Sequence, residues 1–490
     1  MPRLETPPLT VRSALRNPRA LSTEVLAGIV TTLALIPEVI SFSIIAGVDP
    51  QVSLIASVVL AISMSFLGGR TAMVTAAAGA VALVVAPLVR EHGVEYLLPA
   101  VILAGLIQVL FGVTGLARIM RFIPRSVMLG FVNALGILIF AAQVPHLIDV
   151  PWLVYPLFIL AAVIVLVLPR FTTTVPAPLV AIIVVTVIAA LIPVAVPTVG
   201  DQGAVGGGMP GITPLLVPLN LETLAIITPT ALSVAFVGLM ESLLTAKLVD
   251  GITGTRSSKT RESWALGVAN ILAGFYGGIA GCAMIGQTVV NVQLARARTR
   301  ISTFVAGVFL LLLVTVLSEA MALIPMAALA AVMMIVALTT IDRHSISPRT
   351  LRRMPLSETI VMLVTVALVV ATQNLAIGVA GGAVLAILLF ARRVAHVAGL
   401  ERRVDGDTVH YRVRGPLFFG SSNDLLERFS FADDPANVII DFSSAAIWDA
   451  STVAVLDAIE TRYGELGSTV TIAGLDAWST ALHERLSGHL

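Results

Sequence analysis

The chain has 490 residues, 57% hydrophobic and only 12% charged, with a net charge of +1 and a mean hydropathy of +0.98. Soluble globular domains carry roughly a quarter charged residues, so this composition excludes one and points to a chain that crosses a membrane many times. The single cysteine, Cys282, excludes a disulfide framework and a cysteine-based zinc cluster. No nucleotide loop, metal cluster or nucleophilic triad is found, so neither an enzyme nor a cofactor is expected, and no nucleic-acid partner.

The first 20 residues are polar and read as a cytoplasmic segment. No small-residue cleavage site follows, so no removable signal peptide is expected. Hydrophobic runs near the ~20 residues that span a bilayer then predict fourteen segments: 22–46, 51–67, 71–89, 96–115, 124–147, 152–168, 177–196, 223–248, 263–276, 283–293, 302–318, 325–341, 357–373 and 375–391. Cytoplasmic loops are enriched in Lys and Arg. With the N-terminus inside, 22 of the 23 Lys and Arg before residue 400, Arg3, Arg118 and Arg121 among them, fall on the cytoplasmic side, and only Arg90 falls outside. A miscounted span would scramble that split. Beyond residue 400 the chain turns polar and alternates strand-like and helix-like stretches, which predicts a small cytoplasmic α/β domain over 405–490.

The polar loop 197–222, on the extracellular or periplasmic side, separates seven spans (residues 21–196) from seven more (residues 223–394). An odd number gives the halves opposite orientation, the arithmetic of an inverted repeat. Local features recur at matching places. The first span of each half carries a lone carboxylate, Glu38 in "ALIPEVISF" and Glu241 in "VGLMESLLT". The third span of each half opens in small residues, "GGRTAMVTAAAGA" and "GGIAGCAMIGQT". Two half-helices meeting there would aim free N–H groups and positive dipole ends at the bilayer middle, where an anion could sit. Irregular backbone at that depth is tolerated only around a protein-lined cavity.

These stretches resemble the SulP (sulfate permease) family of anion transporters, also called solute carrier family 26. "AGIVTTLALIPEVISFSIIAGVDP" is similar to its first span, "RFIPRSVMLGFVNALGI" to its fifth, "ANILAGFYGGIAGCAMIGQTVVN" to its ninth and tenth, and "LIPMAALAAVMMIVAL" to its twelfth. The C-terminal region resembles a STAS domain. The resemblance implies an all-α membrane fold of seven plus seven inverted spans, in which a core (spans 1–4 and 8–11) moves against a gate (spans 5–7 and 12–14). It implies an anion between the tips of spans 3 and 10, and a homodimer. Carried over by position, it implies substrate contacts at Glu38, Phe42, Thr75, Ala76, Ala77, Ile285, Gly286, Gln287 and Thr288. Glu38 stands where the family usually has Gln. Gly286, Gln287 and Thr288 stand where many members have Ser-Arg-Ser. Glu241 and Thr245 match the sodium-binding pair of the bicarbonate members.

An ionisable residue inside a span is by default functional. Burial disfavours a charged carboxyl; a neutral Glu38 could donate a hydrogen bond to an anion that a charged one would repel. The expected activity is therefore proton-coupled symport of a small anion, with a dicarboxylate or bicarbonate favoured and sulfate also in range. The coupling residues are Glu38, Glu241 and Thr245, and sodium is the alternative ion. An uncoupled anion channel, a voltage-responsive motor of the prestin kind and a nucleobase–proton symporter of the same fold are the rival readings. Pro37 either kinks span 1 or exposes backbone near the site. His146 and His344 read as solvated loop residues, the Arg runs at 296–300 and 349–353 as topology signals, and Met321, Met326, Met333 and Met334 as packing. In the small domain, Ala450 occupies the position phosphorylated in related anti-sigma-factor antagonists. Asp449, Ser451 and Thr452 flank it, and the module is expected to serve folding, assembly or the binding of a regulatory partner.

Overall fold

The computed structural model describes residues 10–117, 123–172, 175–192, 195–203, 211–218, 220–395 and 399–489. Arg3, Arg118, Arg121 and positions 204–210 and 219 of the central loop lie outside the described residues. The chain forms two compact units, one through residue 383 and one from residue 384.

The helices in chain order are α1 (Val11–Arg16), α2 (Pro18–Ala46), α3 (Pro50–Leu67), α4 (Gly79–His92), α5 (Leu97–Val113), α6 (Arg125–Gln143), α7 (Val154–Val167), α8 (Ala177–Leu191), α9 (Leu221–Thr253), α10 (Lys259–Gly274), α11 (Ile285–Val289), α12 (Arg300–Val316), α13 (Ser318–Ala322), α14 (Met326–Thr340), α15 (Pro348–Arg353), α16 (Leu356–Thr372) and α17 (Leu375–Ala395). Each of the fourteen predicted segments contains a helix. Among the described residues, six helices are long and apolar enough to cross a membrane by length and composition, and five shorter ones are also apolar. Capping signals set the ends. The Asn17 side chain accepts the amides of Arg19 and Ala20 ahead of α2, Pro18 fills its first turn, and Gly47 at φ +76° closes it. Pro37 lies inside α2 without ending it.

The third and tenth spans differ from the prediction. Thr75–Ala77 form a strand, β1, which pairs antiparallel with β2 (Gly281–Ala283) in the register Thr75↔Ala283, Ala76↔Cys282, Ala77↔Gly281. The half-helices start only after these strands, at Gly79 and Ile285, and α11 runs on into a π turn, Val290–Leu294. In an apolar interior every backbone polar group needs a protein partner. Neighbouring spans supply them. The Ser57 hydroxyl of α3 accepts the Ala77 amide at 3.1 Å. Asn270 of α10 accepts the Gly281 amide at 2.8 Å, and its Nδ2 donates to the Gly281 carbonyl (3.2 Å) and to Gln108 Oε1 (2.8 Å). Ser242 of α9 accepts the Ala283 amide at 3.0 Å, Thr288 accepts that of Val74 at 3.0 Å, and Asn291 donates to the Ala72 carbonyl at 2.8 Å.

Around this crossing, α2–α5 pack with α9, α10 and α12, while α6, α7 and α8 pack with α14 and α16. Small residues let backbones close up within the first group. A Cβ at Gly105 of α5 would stand 2.7 Å from the Gly267 carbonyl of α10, and one at Gly267 would stand 2.5 Å from the Gly105 carbonyl. At the end predicted to be cytoplasmic, buried carboxylates cap what the spans leave open. Glu24 accepts the amides of Arg298 (2.7 Å) and Thr299 (3.0 Å) ahead of α12, and Glu262 accepts those of Gly69 (2.7 Å) and Arg70 (3.0 Å).

The second unit holds a four-stranded sheet in the order β3 (Gly399–Asp405), β4 (Thr408–Leu417), β5 (Asn437–Ile447), β6 (Thr469–Ala473). The first pair is antiparallel and the others parallel. Helices α18 (Phe419–Glu427), α19 (Ala450–Glu465) and α20 (Ala477–Leu486) complete it. The fold therefore starts six residues before the predicted boundary of 405. β3 ("GLERRVD") is a mostly exposed edge strand, charged as edges are, so its sequence shows no apolar alternation. Asp434 accepts Arg402 Nε at 2.8 Å, the Tyr411 hydroxyl at 2.6 Å and the Tyr463 hydroxyl, tying two buried rings together. Burial and this carboxylate push the Tyr463 phenol above its ordinary range.

Asn270→Ala is expected to leave the Gly281 amide and carbonyl short of a partner and to lower stability by about 1–3 kcal/mol. Thermal unfolding in detergent measures it; an unchanged midpoint would show that other groups satisfy the crossing.

Candidate functional site

A cavity of about 380 Å³ opens where the two half-helices converge. Its core side is formed by Glu38 and Phe42 of α2, Ala78–Ala80 at the start of α4, Glu241 of α9 and Met284–Gln287 at the start of α11. Its other wall comes from the second helix group: Phe131, Val132, Leu135 and Ile139 of α6, with Val336, Thr339 and Thr340 of α14. Neither α4 nor α11 has a side-chain cap at its N-terminus. The first N–H groups of both helices are thus without intrahelical partners and sit at the cavity wall.

Two carboxylic acids share this space. Glu38 is half-buried, and Gln287 lines the same cavity. Glu241 is 8% exposed, and its Oε2 accepts the Cys282 thiol at 2.9 Å. Among the described residues of the cavity wall they are the titratable side chains, with no Lys, Arg or His beside them. Phe42 packs its ring on the tip of α4; a Cβ at Gly79 would come within 2.6 Å of it. At Gly286 the added atom would meet nothing within 4 Å, because that position faces the open cavity.

Of the site residues expected from the sequence, Glu38, Phe42, Glu241, Ile285, Gly286 and Gln287 line the cavity together. Thr75, Ala76 and Ala77 do not. They are buried in β1, one step behind the tip, and the cavity contacts at that place come from Ala78, Gly79 and Ala80. The displacement has a physical cause, since the segment pairs with β2 before it can turn into helix. Thr288 also stands back from the wall, accepting the Val74 amide. Thr245 lies behind Glu241 and donates to the carbonyls of Glu241 (2.8 Å) and Ala283 (3.3 Å). The α6 and α14 wall was not anticipated. Phe131, Leu135 and Ile139 recur every four residues, a pattern that packing against any neighbour would also produce. Cys282 as a partner of Glu241 left no signal in the sequence.

In the second unit Asp449 caps α19, accepting the amide and hydroxyl of Thr452 at 3.1 and 3.0 Å. Thr452 is buried; Ser451 is exposed.

Broken spans that place two helix tips and two acids around a small cavity, followed by a compact α/β module, define a membrane transporter for a small solute. The Sulfate permease family matches residues 21–154 and 148–365, and the STAS domain matches residues 400–484. The chain belongs to the sulfate permease (SulP/SLC26) family and is a multi-pass membrane anion transporter with a C-terminal STAS domain. YbaR of Bacillus subtilis (strain 168) is 48% identical over 464 residues, covering 95% of this chain and 96% of its own length. The bicarbonate transporter BicA of Picosynechococcus sp. (strain ATCC 27264 / PCC 7002 / PR-6) is 24% identical over 365 residues, or 66% of this chain and 64% of its own. The structure of the murine anion transporter Slc26a9 matches with a TM-score of 0.83 at 15% identity, over 95% of this chain and 87% of that one. The transmembrane domain of a cyanobacterial BicA gives 0.65 at 22% identity, over 74% and 98%.

Gly286→Ala is expected to leave folding intact, since the methyl enters open space, but to weaken anion binding about tenfold, or ~1.4 kcal/mol. Gly79→Ala must displace Phe42 and should lower the melting temperature. Ligand-induced thermal shifts on both variants separate the two effects.

Proposed function

We propose that the chain is a proton-coupled symporter of a small anion, with a dicarboxylate or bicarbonate favoured and sulfate in range. The observation that carries this reading is Glu38 and Glu241 facing one small cavity together with two uncapped helix tips. The tips attract negative charge. Two ionised carboxylates beside them would repel it. Protonation removes that repulsion and turns a carboxyl from acceptor into donor, so proton and anion favour each other's binding. Such coupling is reciprocal, which is the thermodynamic requirement for symport.

The cavity lies between the α2–α5, α9–α12 group and the α6–α8, α14–α16 group. Sliding of the first group past the second would carry the bound anion across, an elevator-like alternating access. Two acids and no cation among the described wall residues disfavour a passive anion pore. Sodium coupling through Glu241 and Thr245 is the lesser reading, because the Thr245 hydroxyl is engaged with backbone carbonyls away from the cavity. Assembly as a homodimer, and a regulatory partner at the STAS domain near Ser451, belong to the same proposal.

The test is uptake of fumarate, bicarbonate and sulfate into proteoliposomes, with an inward proton gradient and without sodium. A lower external pH should accelerate uptake, since the protonated carboxyls are the anion-accepting form. Glu38→Gln and Glu241→Gln, which mimic the neutral acid, are each expected to lose gradient-driven uptake while keeping the anion-induced thermal shift. Unchanged pH dependence in both variants would end the proton-carrier reading; restoration by sodium would favour the alternative ion.

A further inference from the structure

The two helix groups treat their cytoplasm-side cations differently. In the group that holds the half-helices, five of these cations are bonded to other groups of the protein. Arg70 pairs with Asp250 at 3.1 Å, and so does Lys259 at 2.8 Å. Arg261 donates to the carbonyls of Phe66 and Leu67, Arg300 to those of Ser65 and Gly68, and Arg298 to those of Val292 and Ala297. Arg12, Arg16, Arg19, Lys247, Arg256 and Arg296 are exposed without such a bond, and Arg261 is exposed although bonded. In the α6–α8, α14–α16 group none of the described arginines carries such a bond. Arg343, Arg349, Arg352 and Arg353 all lie exposed on the short connection between α14 and α16. No ion pair or hydrogen bond engages their side chains among the described residues, although Asp342 and Glu358 are neighbours in sequence.

The position of this connection is fixed by what it joins. α14 ends at Thr340 and α16 begins at Leu356, and both are apolar helices of the membrane domain. Residues 341–355 therefore lie at the membrane surface. They form a short helix, α15, started by Ser347 and Pro348 and ended before Pro355. Ile346 is 48% exposed and Leu356 75% exposed on either side of it. Apolar side chains that flank a cluster of uncompensated cations at that depth match an interfacial segment. Juxtamembrane cation clusters on the cytoplasmic side attract anionic headgroups.

We propose that Arg343, Arg349, Arg352 and Arg353 form a binding site for anionic phospholipid headgroups, which moors the α14–α16 connection to the inner leaflet. A moored second group gives the moving first group something fixed to slide against. That consequence rests on the elevator reading; the lipid site itself does not. A role confined to directing membrane insertion would leave no lipid preference in the finished protein.

The experiment uses the full chain, purified in detergent, and follows its melting temperature on titration with phosphatidylglycerol, phosphatidylcholine or inorganic phosphate. Phosphatidylglycerol is expected to raise the midpoint well beyond phosphatidylcholine, with the extra shift shrinking as salt screens the charges. The R343Q/R349Q/R352Q/R353Q variant should lose most of that extra shift, and the corresponding all-lysine variant, which keeps charge and insertion, should retain it. Should the glutamine variant insert poorly, the two charge-reversal pairs R343E/R349E and R352E/R353E replace it. An equal response to both lipids, or an undiminished shift in the charge-depleted variants, would overturn the proposal. So would phosphate reproducing the shift, by making this a soluble-anion site. Uptake measured in the same variants tells this failure from that of the transport reading. Lipid preference without any effect on uptake leaves the site standing and removes its link to the sliding motion.

Discussion

The structure depends on one constraint: backbone that leaves the helix in the middle of a membrane must find hydrogen-bond partners within the protein. The crossing of β1 and β2 meets it. Each strand serves the other, and serine, threonine and asparagine side chains from α3, α9, α10 and α11 take up the remaining groups. These polar side chains are costly to bury alone and nearly neutral when fully paired. With the crossing in place, two helices can begin at mid-depth, and their unsatisfied N–H groups become a feature of the cavity instead of a defect.

The cavity then combines opposing tendencies. Helix tips favour negative charge, whereas Glu38 and Glu241 in their ionised form oppose it. A site with the tips alone would hold an anion regardless of proton supply. A site with the acids alone would not hold one. Under the proposed symport reading, the combination would make occupancy depend on the protonation of two carboxyls, one of which accepts the Cys282 thiol. Family membership establishes anion transport, and this arrangement is the physical basis for expecting that a cation accompanies the anion.

The wall opposite the acids is apolar apart from Thr339 and Thr340, and both hydroxyls are engaged with the Val336 carbonyl. Such a surface makes few directional bonds with the group that carries the acids. Little directional bonding between the groups is what relative sliding requires. The crossing, in contrast, is knitted by side chains from several helices, so it would move as one piece. At the cytoplasmic end the first group bonds five of its cations, Arg70 and Arg300 among them, whereas Arg343, Arg349, Arg352 and Arg353 of the second stay exposed.

The sequence by itself determined the class of the chain, the order of its helices and the identity of the two acids. These follow from one-dimensional quantities: hydrophobic run length, the placement of arginines, and the rarity of a carboxylate such as Glu38 between Glu24 and Asp49. It also determined the small domain, apart from β3, whose charged edge gives no periodic signal. Tertiary structure alone decided where the helix tips begin. Thr75–Ala77 look like the start of a span, and become a strand only because Gly281–Ala283, some two hundred residues away, lies against them. The same holds for the α6 and α14 wall and for the thiol beside Glu241. Pairing and packing between distant segments are properties of position in space, and no local pattern of residues encodes which distant segment will arrive.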